Sequence, residues 1–218
     1  MRPDARNGDR GCRLRTGISS RLFLENCNQV IGIEPNAAMR GAAIEFLAEF
    51  PDFTIVDGTS DATTLADNSV DMIVAAQAFH WFTPETTRLE FHRILKPGGW
   101  ILLLWNERQL DTTPFLIEYE AFLEKYANDY GTVRHENIKK QELDDFFQKE
   151  YGSVRFQNVQ IFDFDGLKGR MLSSSYMPNE GNAVFATMIE DLRSLFAKHA
   201  ENGRIRVLYD TKVYFSQG

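Results

Sequence analysis

Residues 96–105, KPGGWILLLW, constrain the fold more than any other stretch. The proline and paired glycines end whatever helix precedes them and make a turn. The six residues that follow carry no charge, are too few for a core helix and read as a parallel strand buried on both faces. Similar runs recur upstream: QVIGIE (29–34) ending in Glu34, FTIV (53–56) and VDMIVAA (70–76). Helical patterns lie between them. GISSRLFLEN (17–26) puts Ile18 and Leu22 on one face, and Asn36 is a plausible N-cap for a helix on which Met39, Ala42, Ala43, Phe46 and Phe50 recur. Thr83-Pro84-Glu85 offers a capping hydroxyl, a proline at the first helical position and an acid in the first turn. Strands alternating with helices specify α/β units and an open, twisted, mostly parallel sheet with helices on both faces.

The C-terminal third has a different period. VRFQNVQIF (154–162) is strand-like. RIRVLYDTKVYF (204–215) alternates strictly, with Ile205, Val207, Tyr209, Thr211, Val213 and Phe215 on one face, as expected of an antiparallel strand at the sheet margin. Phe185, Met188, Ile189, Leu192 and Phe196 make an amphipathic helix between them. Residues 113–150 insert two further helices, the first with Phe115, Tyr119, Phe122 and Tyr126 on one face, as a candidate lid. One domain over residues 17–218 accommodates all of this.

Composition removes several classes. A chain of 218 residues with net charge −7 is long enough for one sizeable core and offers no basic surface for nucleic acid or anionic membrane. No apolar run has the length of a membrane span, and the start lacks a signal-peptide core. Cys12 and Cys27 cannot make a disulfide framework and belong to no metal-type cluster. A reduced, cytoplasmic protein is the expectation. Residues 1–16, MRPDARNGDRGCRLRT, hold five arginines and almost no apolar side chain, so this segment is expected to be disordered.

Ligands of an open α/β sheet bind outside the carboxyl ends of its strands. Those ends carry Thr16-Gly17, then Glu34-Pro35-Asn36, then DGTSDATTL (57–65), QAFHWF (77–82) and WNER (105–108). Glu34 can accept two hydrogen bonds from a ribose diol, or is a solvated strand end. Thr59, Ser60 and Asp61 can meet an adenine edge, or form only a turn. Phe79, His80, Trp81 and Phe82 make an apolar mouth with one titratable group, or a piece of core.

VIGIEPNAAM, DNSVDMIVAAQAFHWF, FHRILKPGGWILLLWNER and YDTKVYF together resemble class I S-adenosylmethionine-dependent methyltransferases, closest to the small-molecule group that includes trans-aconitate methyltransferase-like proteins. The likeness runs from about Thr16 to the C-terminus. It implies a Rossmann-like sheet of seven strands with an antiparallel last strand, and S-adenosylmethionine as cofactor. It also implies roles: Glu34 and Pro35 at the ribose, Thr59, Ser60 and Asp61 at the adenine, and Gln77, Phe79 and Trp81 toward the methionine end. Facing a small-molecule acceptor would be His80 as base and Trp81, with Arg108 orienting a carboxylate if there is one. Many relatives carry an aspartate where Thr59 aligns.

The resemblance breaks at the start. Members have an apolar first strand and then a glycine loop of the D-x-G-x-G-T-G kind, whose glycines let backbone approach the cofactor. Here Asp9, Gly11, Cys12, Thr16 and Gly17 match pieces of that motif, and Arg13-Leu14-Arg15 replaces one glycine. A central strand drawn from PDARNGDRG would bury unpaired arginines at several kcal/mol each, so the first strand is expected to be missing or disordered. Three accounts stay open: a mis-called or frame-shifted start, a truncated relative that no longer binds cofactor, or an altered loop that still works. A nicotinamide-dependent oxidoreductase is a further alternative, since Glu34 suits that cofactor too, but the G-x-G-x-x-G spacing is missing.

Overall fold

A computed structural model describes residues 18–128, 140–174 and 176–218 in full and residues 10–14 as backbone. In chain order the elements are β1 (Arg10–Leu14), α1 (Ile18–Glu25), β2 (Gln29–Ile33), α2 (Ala37–Phe46), β3 (Phe53–Val56), β4 (Val70–Ala76), a 3-10 turn (Phe79–Trp81), α3 (Pro84–Ile94) and β5 (Leu95–Arg108). Then follow α4 (Pro114–Tyr126), α5 (Lys140–Phe147), β6 (Gly152–Phe162), α6 (Phe164–Leu172), α7 (Phe185–His199) and β7 (Ile205–Gln217). The strands are ordered β3-β2-β1-β4-β5-β7-β6, and the pairs β3–β2, β2–β1, β1–β4 and β4–β5 are parallel. Along β5 and β7, Gly99 meets Gly218, Asn106 meets Thr211 and Gln109 meets Leu208, so one number rises as the other falls and the pair is antiparallel. This is the Rossmann-like α/β sheet with an antiparallel C-terminal strand.

Two sequence expectations need correction. The first strand is present: Gly11 to Leu14 pair with Val30 to Ile33 on one side and with Met72 to Ala75 on the other. The physical reason is that β2 and β4 both require a backbone partner, and backbone hydrogen bonds can be supplied by any non-proline residue. The expected disorder of residues 1–9 and the loop residues Thr16 and Gly17 lie outside the described residues. The last strand, in turn, is not at the margin. β7 inserts between β5 and β6, and β6 is the edge.

The chain divides into two compact units, one of residues 1–105, 138–154 and 212–218, the other of residues 106–137 and 155–211. In the first, Ile33, Ile73, Phe91, Ile101, Leu103 and Trp105 are buried around Phe79, and Phe146 of α5 packs edge-on against Phe79 and Phe91. In the second, Phe115, Tyr119, Phe122 and Tyr126 form a continuous aromatic ladder down α4, buried with Leu167, Met188, Leu192, Ile205, Val207 and Tyr209. The two helices of 113–150 thus serve different cores. On α1 the burial falls on Ser20 and Leu24, while Ile18 and Leu22 are 67% and 65% exposed.

WILLLW is less buried than its composition implies. Ile101, Leu103 and Trp105 face the core, Leu102 and Leu104 are half-buried, and Trp100 is exposed. The turn before it belongs to the strand: β5 begins at Leu95, and its pairing with β4 shifts register between Val70 and Met72 to pass over the glycines. Gly98 sits at φ +78°, in the left-handed region. At Gly99 a Cβ would lie 2.7 Å from Asp71 O and 2.7 Å from Leu95 Cδ1, so only glycine lets β5 close onto β4. Gly99→Ala is expected to destabilise the fold by about 1–3 kcal/mol, the range of overpacked sites, read as a lower urea midpoint at unchanged slope.

Candidate functional site

Parallel pairing lines up the strand ends of the first unit. Val56, Ile33, Leu14, Ala75 and Leu103 stand in one row across β3, β2, β1, β4 and β5. Every loop leaving this row starts on the same edge of the sheet, and with strands about 4.8 Å apart the ends of β2 and β4 lie roughly 10 Å from each other. Glu34 and the residues after Ala76 begin two of these loops.

Glu34 is fixed by what surrounds it. Its backbone N–H donates to Val56 O at 3.2 Å, continuing the ladder one residue past β2. The side chain is 8% exposed and its Oε1 accepts the Asn36 N–H at 3.0 Å. Among the described residues Oε2 accepts nothing. Asn36 is the cap expected from the sequence: its Oδ1 accepts from the N–H groups of Ala38 and Met39 and starts α2. Arg40, one turn on, donates to the carbonyls of Glu34 and Pro35 at 2.8 Å each and pairs with Asp57 at 3.0 Å. The result is a nearly buried carboxylate with one oxygen engaged, a donor set suited to a diol at its other oxygen.

The loop after β3 is built as a tight turn. Thr59 and Ala62 exchange backbone hydrogen bonds at 3.1 and 3.2 Å, and Thr59 Oγ1 donates to Asp61 Oδ1 at 2.6 Å. Asp61 is exposed, and Ser60 Oγ bonds Thr87 Oγ1 at 2.9 Å. Behind this turn sits a group the sequence reading missed. Glu90 on α3, itself 9% exposed, accepts from Thr63 N at 2.8 Å and Thr63 Oγ1 at 2.5 Å, and from the Arg93 guanidinium at 2.7 and 2.8 Å. Arg93 also reaches Asp67 and Leu65 O. The i, i+3 spacing of Glu90 and Arg93 on a helix was the available signal.

After β4, Gln77 adopts φ +53°, a left-handed conformation uncommon for a residue with a Cβ, while its N–H donates to Leu104 O at 2.9 Å. The 3-10 turn that follows splits QAFHWF in two. Phe79 is 4% exposed and packs edge-on against Phe82, Trp105 and Phe146, so its ring serves the core and does not line a mouth. Trp81 is 65% exposed, and half-buried His80 lies against it with ring centroids 4.9 Å apart. Gly11 belongs to β1 and not to a loop, leaving Arg15, Thr16 and Gly17 between β1 and α1. Arg108 belongs to the second unit. There it is buried, pairs with Glu120 and lies over the Tyr119 ring at 5.2 Å. No group of metal ligands occurs among the described residues, nor any helix long and apolar enough to cross a membrane.

The Glu90 clamp predicts a pH dependence. The Arg93 hydrogen bonds, then those from Thr63, outweigh burial and hold its carboxyl at about 2, against 4.5 unperturbed. A lowered folded pKa contributes stability in full above the unfolded value, and that contribution is lost as pH falls from about 4.5 toward 2. Its size is on the order of 3 kcal/mol. Urea melts across this window are expected to lose stability in the native chain more steeply than in Glu90→Gln, and parallel curves would refute the assignment.

Residues 9–103 match the model of the methyltransferase domain family. A methyltransferase-like protein of Schizosaccharomyces pombe is 40% identical over 81 residues, which is 37% of this chain and 31% of that protein. A Coxiella burnetii malonyl-[acyl-carrier protein] O-methyltransferase is 34% identical over 101 residues, 45% of this chain and 32% of its own length. The chain spans between 31% and 41% of the length of the relatives it matches. The likeness of fold is broader. The YcgJ protein of Bacillus subtilis superposes with a TM-score of 0.59 at 20% identity, over 97% of this chain and 92% of that one. A candidate antibiotic-pathway methyltransferase of Anabaena variabilis gives 0.65 at 20%, over 96% and 91%. These likenesses support a class I S-adenosylmethionine-dependent methyltransferase domain over residues 9–103.

Proposed function

We propose that this protein transfers a methyl group from S-adenosylmethionine to a small-molecule acceptor in the cytoplasm. The observation that carries the reading is Glu34: an almost buried carboxylate at the end of the second parallel strand, held by Asn36 through one oxygen only. In this reading that carboxylate accepts the ribose hydroxyls, with Pro35 turning the chain beneath it. The Thr59–Ser60–Asp61 turn, braced by Glu90 through Thr63, meets the adenine. Gln77 in its left-handed conformation, together with Trp81, faces the methionine end, and Thr16 and Gly17 supply the backbone between β1 and α1.

The cofactor, when bound, supplies a methyl group on a positively charged sulfur. The task of the protein is to hold an acceptor atom in line with that methyl and to keep water out. His80 takes the proton from an acceptor hydroxyl or amine. A carboxylate acceptor needs no base. The acceptor's size is inferred from the exposed aromatic surface at Trp81, and the whole-protein activities of the relatives extend over sequence this chain does not cover.

One observation favours a second reading, a relative that no longer binds cofactor: β1 takes up Gly11 and leaves only three residues before α1. A thermal-shift titration with S-adenosylhomocysteine separates the two. Ligand at a hundred times its Kd stabilises a competent fold by about 2.7 kcal/mol, a rise of several degrees. Glu34→Ala is expected to weaken that binding roughly 10- to 100-fold, the worth of a charge-assisted hydrogen-bond pair at about 1.5–3 kcal/mol. No saturable shift in the native chain would give the second reading the site.

A further inference from the structure

The turn ENGR (201–204), between α7 and β7, has no part in the cofactor reading. Glu201 and Arg204 exchange backbone hydrogen bonds at 2.9 and 3.0 Å across Asn202 and Gly203, which sit at φ +51° and +71°. Two left-handed central residues make a type I′ turn, for which Asn-Gly is a preferred pair. The turn delivers the chain into β7 with its faces fixed. Ile205, Val207 and Tyr209 are buried, so Arg204 and Arg206 project from the opposite, exposed face. Residues two apart on a strand lie about 7 Å from each other, close enough for both guanidinium groups to meet on one ligand.

Both arginines line a cavity of about 540 Å³ that lies wholly within the second unit. Small-molecule sites run from roughly 300 to 1,000 Å³, so the space holds a whole ligand. Its apolar wall is Pro114 and Phe115 at the start of α4, Ile205, and Ile161 on the edge strand β6, the last 53% exposed. Among the described residues, the side chains of Arg204 and Arg206 make no ion pair and no hydrogen bond. The acids nearby do not account for them. Glu118 is taken up by Lys198 at 2.7 Å, with Nε2 of His199, another lining residue, 3.2 Å away. Glu201 is the only acid among the described lining residues, and one carboxylate matches one guanidinium at most. Two solvated arginines, or one exposed isoleucine, would be ordinary surface. Here they share one cavity of ligand size, and the turn fixes their spacing.

We propose that this cavity binds a phosphate monoester with an apolar body. Two guanidinium forks present more donors than the two oxygens of a carboxylate accept, and they suit the three terminal oxygens of a phosphate. The dianion offsets both cations, with Glu201 left at the rim. The body of the ester covers Ile161 and Pro114, which are otherwise exposed. Removing that surface from water supplies affinity that exposed cations alone do not. A polyanion such as nucleic acid is disfavoured by the net charge of −7. The site is complete within the second unit and does not require the cofactor reading to hold.

The test titrates the full chain with phenyl phosphate, inorganic phosphate and phenol, following the melting temperature against sodium sulfate at matched ionic strength. A saturable rise of a few degrees with phenyl phosphate, beyond the sulfate control, is expected, with a weaker response to inorganic phosphate and none to phenol. Arg204→Gln and Arg206→Gln should each raise the Kd for phenyl phosphate on the order of tenfold. Ile161→Ser should weaken phenyl phosphate and leave inorganic phosphate unchanged, a split that charge screening does not produce. All three side chains are exposed, so none of these changes opens the core. Three outcomes overturn the proposal: no rise beyond sulfate, a phenol response equal to that of phenyl phosphate, or equal rises in the native chain and the Arg204→Gln/Arg206→Gln double variant. S-adenosylhomocysteine run in parallel keeps the two readings apart: Glu34→Ala should weaken its binding and leave that of phenyl phosphate as it is.

Discussion

The backbone demand of β2 and β4 is the constraint on which the first unit depends. Both strands are parallel, both lie inside the sheet, and each would present a full row of unpaired N–H and C=O groups if nothing stood between them. Buried backbone groups of that kind are almost never left unpaired. The segment Arg10–Leu14 answers the demand with its main-chain groups, pairing four of its residues on both sides. Its position sets the common row of strand ends, and that row gives Glu34 and Gln77 their places on one edge.

The strand-end loops hold their shape by local devices that do not rely on one another. Glu34 is held by the Asn36 cap and by Arg40, which grips two carbonyls and Asp57. The Thr59–Ala62 turn is tied back through Thr63 to Glu90. Gln77 is held by its bond to Leu104 and by the burial of Phe79 two residues later. Each device fixes a polar group by hydrogen bonds to main chain or to a buried ion pair, the arrangement that lets a binding site stand ready without ligand.

Much of this was legible because period and punctuation carry it. β3 at Phe53–Val56, β4 at Val70–Ala76 and the start of α3 at Pro84 fall where apolar runs and the Thr-Pro-Glu signal put them. The α4 face of Phe115, Tyr119, Phe122 and Tyr126 was readable from its spacing and is buried as one ladder. What failed to show were features decided by distant partners. Nothing in RGCRL announces a strand; its neighbours make it one. The alternation of residues 204–215 signals a two-faced strand but says nothing about which strands flank it, so β7 was expected at the margin that β6 occupies. Phe79 and Trp81 look alike in sequence, and only the 3-10 turn sends one inward and the other out. Glu90 reads as an ordinary helix-surface acid until Thr63 is brought over it.

The arginines differ in what the fold does with them. Arg40 and Arg93 are bolts: Arg40 is matched by two carbonyls and Asp57, Arg93 by one carbonyl and the acids Asp67 and Glu90, so their charge is spent within the structure. Arg108 is buried, pairs with Glu120 and lies over the Tyr119 ring, and Arg170 donates to the Ser173 hydroxyl beside the phenols of Tyr209, Tyr119 and Tyr176. Glu34 is the contrasting case in the first unit, a nearly buried carboxylate with half its acceptor capacity used by the chain. There the protein stops short of satisfying its own charged group, and ligand chemistry is read from what would complete it.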